Sequence, residues 1–239
     1  DAVFGLHVET DIDVGQFAVR YGQRNASSDE VRIILHGRSC HAAYPSGGVD
    51  AIVMAAQVVT ALQTLVSRNL DARDSGVLTL GTIHGGTQNN IVADRVELWG
   101  TVRTLDPEIR RFMLRRLREI CEGVAQGMGG RAEIEIEPGY DALINDDAMV
   151  DLVRQNLVSL VGEENVRLRP KPNMGVEDFA YYLHHAPGAF YSLGVRNETR
   201  GIVHPVHQQF FDVDEECLAY GVAAQVLNTL GVLRRGDAE

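Results

Sequence analysis

Cysteine is scarce in this chain: Cys40, Cys121 and Cys217 are odd in number, far apart and never in a Cys-x-x-Cys pair. That leaves no disulfide framework and no zinc ribbon, and it suits a reducing compartment, so a cytoplasmic location is expected. Positive charge is short as well. Lys+Arg number 22 against 33 Asp+Glu, a formal charge of −11 with a pI near 5.2, which argues against nucleic acid or an anionic membrane as a main partner. No uninterrupted apolar run approaches ~18 residues, so no membrane-spanning helix is expected. The familiar signature loops are missing too: there is no Gly-x-Ser-x-Gly elbow, no phosphate-binding loop, no Gly-x-Gly-x-x-Gly after a strand and no His-Glu-x-x-His.

Hydrophobic residues make up 45% of the 239 positions, enough for a core and for one large domain or two modest ones. Ala2 to Val8 reads as a short buried strand, and the chain enters it directly from Asp1 with no Met, as a fragment or processed product would. Strands are expected at Gly15 to Tyr21 and Glu30 to Leu35, split by a polar turn. From Val49 to Arg68, Val49, Ile52, Val53, Ala56, Val59, Leu62 and Val66 recur at three- and four-residue steps, the pattern of one helix face.

Strands at Val77 to Ile83 and Arg95 to Arg103 come next. Asp106-Pro107 then starts a helix, with an N-cap carboxylate before a proline that lacks an amide hydrogen. Arg131 to Glu137 alternates as a strand with one wet face. Strand, helix, strand, strand, helix, strand is the split βαβ order, a four-stranded antiparallel sheet under two helices. The rest alternates helix and strand in the manner of an α/β layer: helix from Asp146 to Val161, strand at Asn165 to Leu168, helix from Val176, strand at Gly188 to Gly194 and a last helix near Asp214 to Leu233. The expected plan is therefore a partial α/β catalytic domain from residues 1–15 and 139–239, interrupted by a split βαβ insertion over 16–138.

Several side chains could carry chemistry. His41 sits in the strand-to-helix turn Gly37-Arg38-Ser39-Cys40-His41-Ala42-Ala43-Tyr44-Pro45, where an imidazole can move a proton near neutral pH. His7 ends an apolar strand, and His204-Pro205-Val206-His207 precedes the last helix. A neutral imidazole is a common ligand for zinc or manganese, yet a lone strand histidine is more often a satisfied core residue. Asn90 and Arg103 flank a strand. Glu177, opening a helix, would be stabilised there by the helix dipole without any further task, and His36, His84, His184 and His185 read as structural.

Taken together, Gly5-Leu6-His7-Val8, Gly37-Arg38-x-x-His41-Ala42-Ala43-x-Pro45, Asp50 and Gly85-Gly86-Thr87-x-x-Asn90-Ile91-Val92 resemble the dinuclear-metal amidohydrolases. That family includes metallo-aminoacylases, hippurate hydrolase and indole-acetyl-amino-acid hydrolases. Further matches follow in family order: Gly100-Thr101-Val102-Arg103, Asn145-Asp146, Met174-Gly175-x-Glu177-Asp178-Phe179-Ala180 and His207-x-x-x-Phe211-Asp212-x-Asp214-Glu215. The resemblance implies a phosphorylase/hydrolase-like α/β catalytic domain with an inserted ferredoxin-like lid that also forms a homodimer. It implies two divalent metal ions, zinc or manganese, with His7 and His207 among their ligands. It further implies that His41 stabilises the oxyanion in the partner subunit's site, that Asn90 and Arg103 hold the substrate's α-carboxylate, and that Glu177 lies nearby as a possible second shell.

The implied reaction is hydrolysis of the amide of N-acyl amino acids or related small conjugates. The family's Cys-Gly-His-Asp motif and Glu-Glu pair, which supply further ligands and the general base, have no counterpart in these residues. The chain is therefore expected to be the C-terminal part of such an enzyme and inactive alone. The competing reading is a non-catalytic dimerising or ligand-binding module built on the lid fold.

Overall fold

A computed structural model describes residues 1–236 of the chain. In chain order its strands are β1 (Val3–Asp13), β2 (Phe17–Val19), β3 (Gly22–Asn25), β4 (Ser27–His36), β5 (Cys40–His41), β6 (Gly76–Gly85), β7 (Ile91–Val92), β8 (Arg95–Thr104), β9 (Arg131–Pro138), β10 (Leu143–Asn145), β11 (Val166–Leu168) and β12 (Gly188–Arg196). The helices are α1 (Ala51–Thr64), α2 (Pro107–Gly127), α3 (Asp147–Val161) and α4 (Glu216–Gly236). This mixed α/β chain forms two compact units: Asp1–Asn25, Leu143–Asn173 and the residues from Glu177 on make the first, and Ala26–Ala142 with Met174–Val176 make the second.

The first unit is a sheet of order β1-β12-β2-β11, parallel at β1/β12 and β2/β11 and antiparallel between β12 and β2. β12 is buried from Gly188 to Val195. Its alternate side chains divide between two clusters, as the two-residue period of a strand requires. Ala189, Tyr191, Leu193 and Val195 pack with Phe17, Val150, Val153 and Leu157, whereas Phe190 packs with Leu143, Phe179 and Ala180. Gly5 lies under the second cluster, where an added Cβ would come within 2.8 Å of the Phe179 and Phe190 rings. α3 starts at Asp146, whose side chain accepts from the Met149 amide at 2.9 Å.

The second unit is an antiparallel sheet of order β6-β8-β4-β9, the strand order of a split βαβ unit. Val31, Ile33, Leu35, Val96, Leu98 and Val102 meet Met54, Val58, Leu62, Met113 and Leu117 of α1 and α2 in one core. Asp50 caps α1 by accepting from the Ile52 and Val53 amides (2.9 and 3.2 Å), and Asp106 caps α2 from Glu108 and Ile109 (2.7 and 3.2 Å).

Four expectations shift. The two-unit division falls at 25/26 and 142/143, because β2 pairs with β12 and β11 while Gly139 stays hydrogen-bonded to Ser28. The buried stripe of α1 is Ala51, Met54, Ala55, Val58 and Leu62, and Ile52 and Val53 are about half exposed. That helix is apolar on most of its circumference, so periodicity alone selects the wrong stripe. Instead of an α-helix from Val176, a 3-10 helix spans Asp178–His184. Finally, two helical stretches, Ala51–Asn69 and Glu216–Arg234, are long and apolar enough to cross a membrane by length and composition. Scattered polar residues hid this from a search for unbroken runs.

Candidate active-site residues

His7 lies in the middle of β1, which continues to Asp13. Leu6 and Val8 turn toward the main core of the first unit, and His7 turns the other way, edge-on to the Phe190 ring at 6.3 Å. Its Nδ1 is 2.6 Å from the Val8 carbonyl oxygen. A carbonyl only accepts, so Nδ1 carries the proton and the neutral ring presents the Nε2 lone pair. Nε2 sits 3.7 Å from Glu177 Oε1. A ring anchored through one nitrogen with the other free is the arrangement metal-binding histidines adopt. Burial pushes the Glu177 carboxyl above its ordinary range.

Behind this pair is a buried ionic cluster that the sequence reading did not single out. Arg24, 2% exposed, donates from Nη2 to Glu9 Oε1 (3.2 Å) and Ser192 Oγ (2.8 Å). Arg169 Nη2 reaches Glu9 Oε2 at 3.3 Å. Burial lowers the Arg24 pKa, and Glu9 restores part of it. Glu9 is two residues from His7 and so on the same face of β1, which was the available signal.

His207 occupies the loop before α4, exposed and at φ 64°, the only non-glycine residue with positive φ among those described. Such a conformation costs energy and concentrates at functional positions. No hydrogen bond or ion pair among the described residues joins His207 to His7 or Glu177, and no three His, Cys, Asp or Glu side chains gather to hold a metal. Catalytic zinc takes about three protein ligands. The donors present therefore do not complete a metal site.

In the second unit, β5 pairs with β7, Cys40 opposite Val92 and His41 opposite Ile91, and the Ala42 amide donates to the Asn90 carbonyl at 3.0 Å. The His41 turn and the Asn90 turn are thus tied together. His41 Nδ1 accepts from the Ala43 amide at 3.1 Å, so the neutral ring holds its proton on Nε2 and is a donor there. The ring is exposed, 5.7 Å from that of Tyr44. Arg103 is the next-to-last residue of β8, its Nη1 donating to Thr101 Oγ1 at 2.5 Å. Asn90 lies before the opposite end of that strand. Eight residue steps of strand separate Arg95 from Arg103, roughly 27 Å at the usual rise. The structure does not bring Asn90 and Arg103 of one chain together.

The chain belongs to Peptidase family M20/M25/M40, whose sequence model matches residues 1–228. An N-acetyl-L-cysteine deacetylase of Bacillus subtilis is 36% identical over 91% of this chain and 50% of its own length. The crystal structure of an aminohydrolase from methicillin-resistant Staphylococcus aureus is 31% identical, with a TM-score of 0.89 over 97% of this chain and 59% of that one. The Bacillus subtilis YXEP protein, a dinuclear metal-binding peptidase of the family, is 28% identical with a TM-score of 0.78 over 98% of this chain and 57% of that one. The chain spans about half the length of the curated relatives it matches.

Proposed function

We propose that this chain is part of a metal-dependent amidohydrolase that cleaves the amide of N-acyl amino acids or related small conjugates. The observation that carries it is His7: a ring anchored at Nδ1 with Nε2 left open beside a half-buried carboxylate, in a family that includes a dinuclear metal-binding peptidase. In this reading His7 and His207 would be two of the metal ligands, with Glu177 standing beside the open His7 Nε2. A divalent ion held there, zinc or manganese, would supply Lewis acidity toward the amide and its attacking water. This reading requires further ligands and a general base beyond the donors among the described residues.

His41 Nε2–H donates to the oxygen that gains charge as the amide carbonyl is attacked. Arg103 meets the substrate's α-carboxylate with its planar fork, and Asn90 donates a second hydrogen bond. Asn90 and Arg103 stand at opposite ends of β8, so one carboxylate gripped by both draws on two copies of the chain. Asn90 and His41 come from one copy and Arg103 from the other. The homodimer this requires would form through the second unit, where β6 is an edge strand with Val77 and Ile83 exposed and Ile52 and Val53 of α1 are exposed as well. Three free cysteines suit a reducing, cytoplasmic setting.

The second reading, a non-catalytic dimerising or ligand-binding module, is favoured by the incomplete donor set. Equilibrium dialysis of the 239-residue chain against zinc and manganese, with an assay for free amino acid released from N-acetyl amino acids, separates the possibilities. The chain alone is expected to hold no metal pair and to release nothing. In the full-length protein, turnover is expected, and His41→Ala should cut it about 10²–10³-fold, the usual cost of one oxyanion donor. A full-length protein that binds no metal and hydrolyses no N-acyl amino acid would leave the module reading standing.

A further inference from the structure

Residues 41–47 and 84–91 are exposed without interruption, so the two turns joined by β5 and β7 form one projecting tip of the second unit. Tyr44 and Ile91 are its large apolar side chains. Tyr44 is 74% exposed, the highest value for a large apolar side chain among the described residues, and Ile91 is 41% exposed. Both adjoin His41. The Tyr44 ring centroid is 5.7 Å from that of the imidazole. Ile91 is the cross-strand partner of His41, a position whose Cβ lies about 4.5–5.5 Å away.

The backbone that carries the exposed ring is pinned. The Tyr44 amide donates to the His41 carbonyl at 2.8 Å, and the Tyr44 carbonyl accepts from the Gly47 amide at 3.1 Å. The Cys40 thiol donates to the same carbonyl at 3.5 Å. Pro45 follows directly, which keeps Tyr44 out of the helical region, and a 3-10 turn over Pro45–Gly47 closes the loop. A ring mounted on so fixed a backbone has less freedom to lose when a ligand covers it, so more of the contact appears as affinity.

In the proposed function His41 Nε2–H meets the carbonyl oxygen and Asn90 holds the α-carboxylate. Asn90 belongs to the turn before β7, so the amino-acid half of the substrate leaves His41 on that side. The acyl half leaves the carbonyl carbon in the other direction, toward the turn after β5. That turn offers it Ala42, Ala43, the Tyr44 ring and Pro45, none of them charged. We infer that Tyr44 selects the acyl group, favouring an aromatic or long aliphatic acyl group over acetyl, while Ile91 shields the same hydrogen bond from water. An acetyl methyl is too short to cover the ring, whereas a benzoyl group packs on its face or edge at a ring separation of about 4.5–7 Å. The inference rests on the proposed reaction and on His41 as its donor.

The test compares two substrates in one protein. In the full-length protein, kcat/KM is measured for N-benzoyl-L-alanine and N-acetyl-L-alanine. Tyr44→Ala should lower the benzoyl-to-acetyl ratio about tenfold, the scale on which a site senses a lost apolar contact, and Tyr44→Phe should keep the ratio. Because it is a ratio, it does not depend on how much of a preparation is folded. A ratio that survives Tyr44→Ala would overturn the inference. So would an equal loss in Tyr44→Phe, which would make the hydroxyl the selecting group. It would also fall if Tyr44→Ala turned a dimer into monomers, since the ring would then belong to a contact between copies. If neither substrate is hydrolysed, the proposed reaction fails, and calorimetric Kd values for the same two compounds decide the inference by themselves. A Kd ratio shifted about tenfold by Tyr44→Ala sustains it, and an unshifted ratio or no binding of either compound ends it.

Discussion

Asp29 is fully buried, and its carboxylate meets Arg110 through Nε at 2.9 Å and Nη2 at 2.7 Å, with Asp141 on the same guanidinium. Arg110 is held above the ordinary guanidinium range, chiefly by its hydrogen bonds to Asp29. A buried pair of this kind contributes little beyond what its desolvation costs, but removing one partner strands the other. Arg110→Met should therefore destabilise the chain by about 3–5 kcal/mol in urea unfolding, and adding Asp29→Asn should recover part of the loss. A loss below about 1 kcal/mol would mean that water reaches Asp29. Nothing in the sequence paired these residues, because they are far apart in the chain and neither lies in a motif. His41 and Asn90 were recognisable as motif residues, but the two-residue ladder tying their turns together was not. The tautomers of His7 and His41 come from single backbone contacts that residue spacing does not encode.

At the level of elements, strand and helix order in the second unit was legible because β8 and β9 alternate apolar and polar residues and α2 begins at an Asp-Pro cap. The face of α1 was not legible. Apolar residues nearly encircle it, so Ile52 and Val53 competed on equal terms with Met54 and Ala55, and only tertiary packing decides between them. The open face of the sheet holds a charge ladder in which Arg32 grips Glu97 twice (2.9 and 3.0 Å), stacks over Trp99 at 5.2 Å and reaches Glu135 at 3.0 Å. Hydrogen bonds from Arg32, then Trp99 and Arg95, hold the Glu97 carboxyl at about 2. An unfolded glutamate titrates near 4.3, so Glu97 stabilises the fold above that pH, and the contribution drains away as pH falls toward about 2. The melting temperature of Glu97→Gln should accordingly fall less steeply than that of the parent between pH 5 and pH 2. Parallel slopes would show that the ladder does not persist in solution.

On the scale of the whole molecule, the proposed partition of labour along β8 has a genetic consequence. If Asn90 and His41 serve one catalytic centre and Arg103 the other, two defective full-length proteins complement each other. His41→Ala and Arg103→Ala homodimers are each expected to be nearly inert, whereas subunits exchanged between them form heterodimers with one intact centre and one doubly damaged centre. Activity should then reappear on mixing and rise with the time allowed for exchange. A mixture as inert as its components would mean that each centre draws these side chains from a single polypeptide. Under the proposed function, ten residues of ordinary antiparallel strand are too long for their two ends to share one substrate, so two neighbouring chains would have to cooperate over it.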